Sequence, residues 1–156
     1  MEINVKVEIK GKLLKELKEN PGEVSRKSIW AGMTWLVEAI EAKAKKEVPV
    51  KTSNLLRSIT SNVSADGKKG TITAAAKKDG KPYGLFVHEG TGLFGPFKRL
   101  IRPTTQKALF WPGALHPVKS VKGMKPNPFF TRAVSQVDPQ KVFEDGVWSY
   151  LQKFGA

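Results

Sequence analysis

Residues 20–49 read NPGEVSRKSIWAGMTWLVEAIEAKAKKEVP, and this stretch decides the fold class. Ile29, Met33, Leu36, Ile40 and Ala44 recur at intervals of 4, 3, 4 and 4, which places them on one stripe of an α-helix. Trp30 and Val37 broaden that buried face, while Glu38, Glu41, Lys45 and Lys46 lie outside it. Asn20-Pro21-Gly22-Glu23 reads as a start signal, with a capping Asn, Pro at the first helical position and Glu at the third. Val48-Pro49 is the stop, because the residue before a proline disfavours helical geometry. One long amphipathic helix is therefore expected. Trp30, Trp35, Trp111 and Trp148 are read first as large core residues, one of the first two standing at the rim of this helix; anchoring an interface is the other role open to them.

Upstream, Ile3, Val5, Val7 and Ile9 alternate with polar residues as a half-buried strand does. Gly11 ends that strand, and Leu13, Leu14 and Leu17 fit one or two helical turns. Downstream, Thr52 to Arg57 reads as a short capped turn feeding a strand from about Ser58 to Ala65. Asp66-Gly67 turns the chain into a return strand from about Gly70 to Ala76. A loop, Lys77 to Pro82, leads to Tyr83-Gly84-Leu85-Phe86-Val87-His88, a helical turn or a short strand with equal support from the pattern. Residues 90–106 have no period. Ala108 to Pro112 and Ala114 to Val118 read as two short strands around Gly113, with prolines confining them to an edge. Phe129, Phe130, Ala133, Val134 and Val137 suit a helix. Asp138-Pro139 then opens the last one, with the stripe Phe143, Val147, Tyr150, Leu151 and Phe154. The fold class is α+β: a small antiparallel sheet packed against a long helix and C-terminal helices, in a single domain spanning 1–156.

The formal net charge is +13, and it is unevenly spread. Residues 1–47 carry 10 basic and 8 acidic side chains, the mixture of a solvated helix surface. Between Glu89 and Asp138 there is no acid, while Lys98, Arg99, Arg102, Lys107, Lys119, Lys122, Lys125 and Arg132 contribute +8. A polyanion or an acidic neighbouring subunit is the partner such a segment suits. No apolar run approaches membrane-spanning length, so a membrane-embedded role is excluded. The alternating N-terminus lacks the apolar core of a secretory signal, and the chain is expected to stay where it is made.

Catalytic constellations are hard to assemble. The chain has no cysteine, which removes disulfides, thiol nucleophiles and cysteine-held zinc. His88 and His116 are the only imidazoles, and each is read as a structural or surface residue. Of the acids in the central region, Asp66 and Asp79 occupy turn contexts, leaving Glu89 without a partner carboxylate. Gly90-Thr91-Gly92 lacks the third glycine and the strand–helix context of a dinucleotide fingerprint, and no phosphate loop is present. The expectation is a protein that is not an enzyme and takes no cofactor, metal or small-molecule substrate.

Three separated pieces carry a family resemblance. Val48-Pro49-Val50-Lys51-Thr52-Ser53-Asn54-Leu55-Leu56-Arg57-Ser58-Ile59 follows the long helix. Tyr83-Gly84-Leu85-Phe86-Val87-His88-Glu89-Gly90-Thr91 follows the hairpin, and Lys125-Pro126-Asn127-Pro128-Phe129-Phe130-Thr131-Arg132-Ala133 precedes the terminal helices. In this order they resemble the HK97 gp10-like family of tailed-phage tail-completion and head–tail joining proteins. Ser53 stands where the first motif usually has Gly, and His88-Glu89 where the second often has an acid and an aromatic. The resemblance implies a structural virion component of a phage or prophage, made in the bacterial host cytoplasm and forming a ring near the tail–head junction. Its partners would be copies of itself and neighbouring tail or head-connector proteins.

A ring subunit presents two different, complementary surfaces. On this reading residues 90–106 form a long, mobile basic loop that orders against the next subunit, with Phe94, Phe97, Pro126, Pro128 and Phe129 at the subunit interface. Lys98, Arg99, Arg102, Lys107, Lys119, Lys122 and Lys125 are the candidate nucleic-acid contacts, neutralising DNA phosphates in a lumen without reading bases. The alternative is a sequence-nonspecific nucleic-acid-binding domain, in which Phe94, Phe97, Phe110 and Trp111 stack on bases among the cations.

Overall fold

The computed structural model describes residues 3–7, 19, 22–49, 53–78 and 80–154. The Leu13–Leu17 turns, Asn20, Pro21 and Asp79 lie outside the described residues. Strand β1 (Ile3–Val7) comes first, followed by helix α1 (Glu23–Glu47) and the single turn α2 (Asn54–Arg57). Strands β2 (Ile59–Val63) and β3 (Gly70–Ala74) form the hairpin, and β4 (Lys77–Lys78) and β5 (Lys81–Pro82) a minimal ribbon where a loop is expected from sequence. Helix α3 (Gly84–Glu89), α4 (Phe129–Ser135) and α5 (Pro139–Phe154) complete the chain. The sheet order is β1-β3-β2, antiparallel throughout, with Ala74 of β3 opposite Ile3 on one side and Ile59 on the other. The result is a single α+β domain of the kind read from the sequence.

Helix α1 organises this domain because its stripe is closed from two directions. Ile29, Met33, Leu36, Val37, Ile40 and Ala44 are all buried, together with Ile59, Ile72 and Ala74 from the hairpin and Phe143 and Val147 from α5. Each of the Val, Leu, Ile, Met and Phe side chains among them stabilises the fold by roughly 1.5–3 kcal/mol through the apolar surface it removes from water, the alanines by less. The crossing of α1 and α5 is unusually close: a Cβ on Gly32 would lie 2.7 Å from the Phe143 carbonyl oxygen and from Val147 Cγ2. On the facing helix, a Cβ on Gly146 would lie 2.9 Å from Gly32 Cα. Two glycines thus sit at the contact, and the helix propensity they forgo is the cost of bringing the axes together.

The helix ends differ in how well the sequence marks them. Asp138 caps α5 as read, accepting a hydrogen bond from the Lys141 amide at 3.1 Å, with Pro139 as the first helical residue. At α1, the residue flanking the first turn is Gly22, in extended geometry and without a side-chain cap, so the helix starts at Glu23, two positions after the expected Pro21. Glu23 supports that start through its position at the positive end of the helix dipole and a 2.6 Å ion pair with Lys27. Trp30 is a correction: it is 45% exposed, because the β2–β3 turn at Gly67 packs against its backbone and leaves the ring at the rim. Trp35, Trp111 and Trp148 are exposed to a similar degree, so none of the four tryptophans is a core residue.

Candidate functional site

The three pieces that carry the resemblance converge around helix α3. Leu55 of the first is buried, and its Cδ1 lies 3.3 Å from where a Cβ on Gly84, the first residue of α3, would sit. From the third piece, the Asn127 amide donates to the Val87 carbonyl at 2.9 Å, so the chain before α4 is tied to the second piece through its backbone. The His88 ring meets Phe129 edge to face, with centroids 5.3 Å apart and planes at 84°. Arg132 closes the cluster: its Nε donates to Glu47 Oε2 at 2.6 Å, and its guanidinium donates to Asn127 Oδ1. With Gln136 donating to the other oxygen, these bonds hold the Glu47 carboxyl below the usual carboxylate range. Arg132 is therefore committed inside the subunit, at the end of α1.

Phe129 belongs to this internal cluster and not to an interface. It has no exposed surface, because α4 presses its ring against His88 and Phe130 under the last turns of α1. Of the five expected interface residues, Phe94, Phe97 and Pro126 are exposed, Pro128 is half-buried and Phe129 is core. His88 is half-buried, and its Nε2 makes no hydrogen bond among the described residues. Burial pushes the imidazole below its ordinary pKa; Glu89 opposes that shift and Arg132 adds to it.

Between α3 and α4 the chain leaves the domain as an arm, residues 90–126. Its two limbs are cross-linked at the root, where the Thr91 amide donates to Met124 O at 2.9 Å and the Leu93 amide to Lys122 O at 2.8 Å. The Met124 amide returns a bond to Thr91 Oγ1 at 2.9 Å. Further out, Ile101 and Val121 exchange two bonds of 3.0 Å, and Leu109 pairs with Val118. Gly123 makes the root possible: its φ is +91°, and a Cβ there would lie 2.1 Å from the Thr91 carbonyl oxygen. The loop expected at 90–106 is thus the first limb of a longer hairpin-like unit, opened by a 3-10 turn at Gly92–Phe94. The two strands expected around Gly113 are reduced to the single Leu109–Val118 bridge, because Pro112 and Pro117 supply no amide hydrogen, and the turn closes instead from the Ala114 amide to Trp111 O.

The seven candidate nucleic-acid contacts, Lys98, Arg99, Arg102, Lys107, Lys119, Lys122 and Lys125, all lie on this arm, and all are exposed. Large apolar side chains are exposed among them: Phe97 is 78% exposed, Phe110 66% and Leu115 98%. The Arg99 guanidinium lies 5.4 Å from the centroid of the Phe97 ring. Leu85 and Phe86 of α3, with Pro96, Phe97 and Ile101 of the arm, enclose an apolar groove of about 510 Å³ that Glu89 borders. Sequence reading missed Phe86 and Leu115 as surface residues. The signal for Leu115 was present: an apolar residue in the turn between Pro112 and Pro117 has no regular element to carry it into a core.

Among the described residues no three His, Asp or Glu side chains gather as a metal-binding group, and no helix is long and apolar enough to cross a membrane. Comparison with family models, with curated proteins and with solved structures finds no match.

Proposed function

We propose that this protein is a structural subunit of a phage or prophage tail, acting in tail completion or head–tail joining through contacts with copies of itself and with neighbouring tail or connector proteins. The observation that carries this reading is the arm: a unit cross-linked at its root that leaves Phe97, Phe110, Trp111 and Leu115 in water while the domain core is closed without them. So many large apolar side chains left in water, rimmed by cations, mark an interaction site. The convergence of the three motif pieces on α3 and the arm root adds support, since the resemblance then concerns one place in the fold. On this reading the arm's cations face DNA phosphates in a lumen or acidic patches of a neighbour.

Light scattering on the purified chain, alone and with candidate tail-tube and connector proteins, tests the proposal, together with deletion of the gene from the parent phage or prophage. Self-association or binding to either partner, and loss of infectious particles on deletion, is the expected result. A monomer that binds neither and is dispensable for infectivity refutes it.

The seven exposed cations with Phe97, Phe110 and Trp111 favour a second reading, a sequence-nonspecific nucleic-acid-binding domain. It requires binding to unrelated duplexes with a log–log salt slope of about −0.9 per phosphate contacted. Binding that survives reversal of Lys98, Arg99, Lys119 and Lys122 to Glu eliminates it.

A further inference from the structure

We propose that the arm tip of one copy, led by Leu115 with Phe110 and Trp111, seats in the apolar groove beside α3 of a second copy. This deepens the assembly reading above and rests on it. Leu115 is 98% exposed, and none of the described residues of its own subunit covers it. Phe110 and Trp111 stand beside it on the other limb of the turn, both exposed. The groove has the opposite character: Leu85, Phe86, Pro96, Phe97 and Ile101 line about 510 Å³ of open apolar space, the size of pockets that take up a drug-sized apolar group.

The subunit's own tip does not fill its own groove. Ile101 lines the groove and pairs with Val121, and the Leu109–Val118 bridge beyond it carries the tip further along the arm, where its side chains remain in water. Charge then selects the arrangement. The tip is flanked by Lys107 and Lys119 on an arm without any acid, so packing tip against tip brings like charges together. Glu89, on the groove border, is the only acid between Asp79 and Asp138, and it offers the tip lysines an opposite charge. Tip in groove is a heterologous contact: each copy gives one arm and receives another, which closes into a ring or continues as a filament.

The test uses the whole chain. Leu115→Glu removes the tip and Phe86→Glu the groove; both positions are exposed, and an unchanged circular-dichroism spectrum confirms folding. Light scattering is expected to show self-association of the wild type, weakened at least about 30-fold in each variant, the size of a hot-spot loss. A 1:1 mixture of the two variants is expected to form dimers and nothing larger, because one intact tip meets one intact groove. Assembly of Leu115→Glu at wild-type strength, or a mixture that stays monomeric while the wild type assembles, overturns the contact. A wild type that stays monomeric at about 1 mM also overturns it. If that monomer still binds tail tube or connector, the assembly reading survives the loss; if it binds neither, both fall.

The absence of cysteine allows a second measurement. The double variant Leu115→Cys, Phe86→Cys, oxidised under copper catalysis, is expected to give a ladder of cross-linked multimers, since a disulfide needs Cβ atoms within about 4.5 Å. Monomers cross-linked only internally, or not at all, refute the proposal.

Discussion

Replacing Gly123 by Ala is expected to release the arm while leaving the domain folded. The new Cβ lies 2.1 Å from the Thr91 carbonyl oxygen, against a lower limit near 3.0 Å, so the two limbs must part by about 0.9 Å. That movement carries the Thr91–Met124 and Leu93–Lys122 hydrogen bonds, now 2.9 and 2.8 Å, beyond bonding distance. Each is worth about 0.5–1.5 kcal/mol net, and holding alanine at φ +91° adds about 1 kcal/mol, for a local cost of about 2–4 kcal/mol. At about 1.36 kcal/mol per decade, amide protection in the arm falls roughly 30- to 900-fold. Hydrogen exchange followed by mass spectrometry or NMR reads this directly. The amides of Thr91, Leu93, Ile101 and Val121 should exchange faster, while those of β2 and β3, packed on α1, keep their protection. Wild-type protection of the variant's arm, an arm unprotected in both proteins, or equal loss in the β2–β3 ladder would each refute a glycine-held root.

Gly32→Ala should lower the melting temperature by up to about 8 °C: overpacking against Phe143 and Val147 costs about 1–3 kcal/mol, of which helix propensity returns about 1. A rise in melting temperature contradicts the close crossing. Phe129→Ala should cost about 3–5 kcal/mol, or about 6–20 °C, whereas Phe97→Ser changes the melting temperature by less than about 2 °C; the reverse order would return Phe129 to the surface. Acidification should destabilise the fold through His88. Burial lowers its folded pKa below 6.5, so the unfolded chain binds the proton more readily, and the stability present above that value is lost as the pH falls below it. The drop in melting temperature between about pH 7.5 and pH 5.5 should therefore be smaller in His88→Phe than in the wild type; an identical drop removes His88 as the cause.

Most of the domain was legible because its elements carry strong local signals. The α1 stripe, the Asp66-Gly67 turn and the Asp138-Pro139 start each combine periodicity with capping or turn chemistry, and the structure follows all three. Where the signal was one-dimensional it failed. Trp30 lies beside the stripe in sequence, but whether it is covered depends on the β2–β3 turn, a partner 37 residues away that a helical wheel does not contain. Phe129 belongs both to the apolar pattern of α4 and to the Pro- and Phe-rich piece that carries the resemblance, and it was the helical pattern that foretold its burial, which comes from α4 packing on α1 with its ring against His88 of α3. The arm itself was half visible. Its charge and its lack of acids could be counted, whereas its cross-links hold one register at the root, 91 with 124 and 93 with 122, and two others further out, 101 with 121 and 109 with 118, so no constant register is written in the sequence.

The same residue types have opposite fates in the two halves of the molecule, and backbone hydrogen bonding explains the division. In α1 and the β2–β3 hairpin every turn or register step supplies a donor and an acceptor, so apolar side chains are carried into layers that close on one another. The arm contains Pro96, Pro103, Pro112, Pro117 and Pro126, each removing a donor, and its limbs meet in only a few bonded pairs. It cannot extend the sheet or form a layer of its own, so Phe97, Phe110 and Leu115 remain outside. An edge so poor in free donors is also a poor template for uncontrolled strand pairing. The side chains are then left as the means of recognition, and a contact made by Leu115 and its neighbours can be specific for one groove where a bare strand edge would accept many partners.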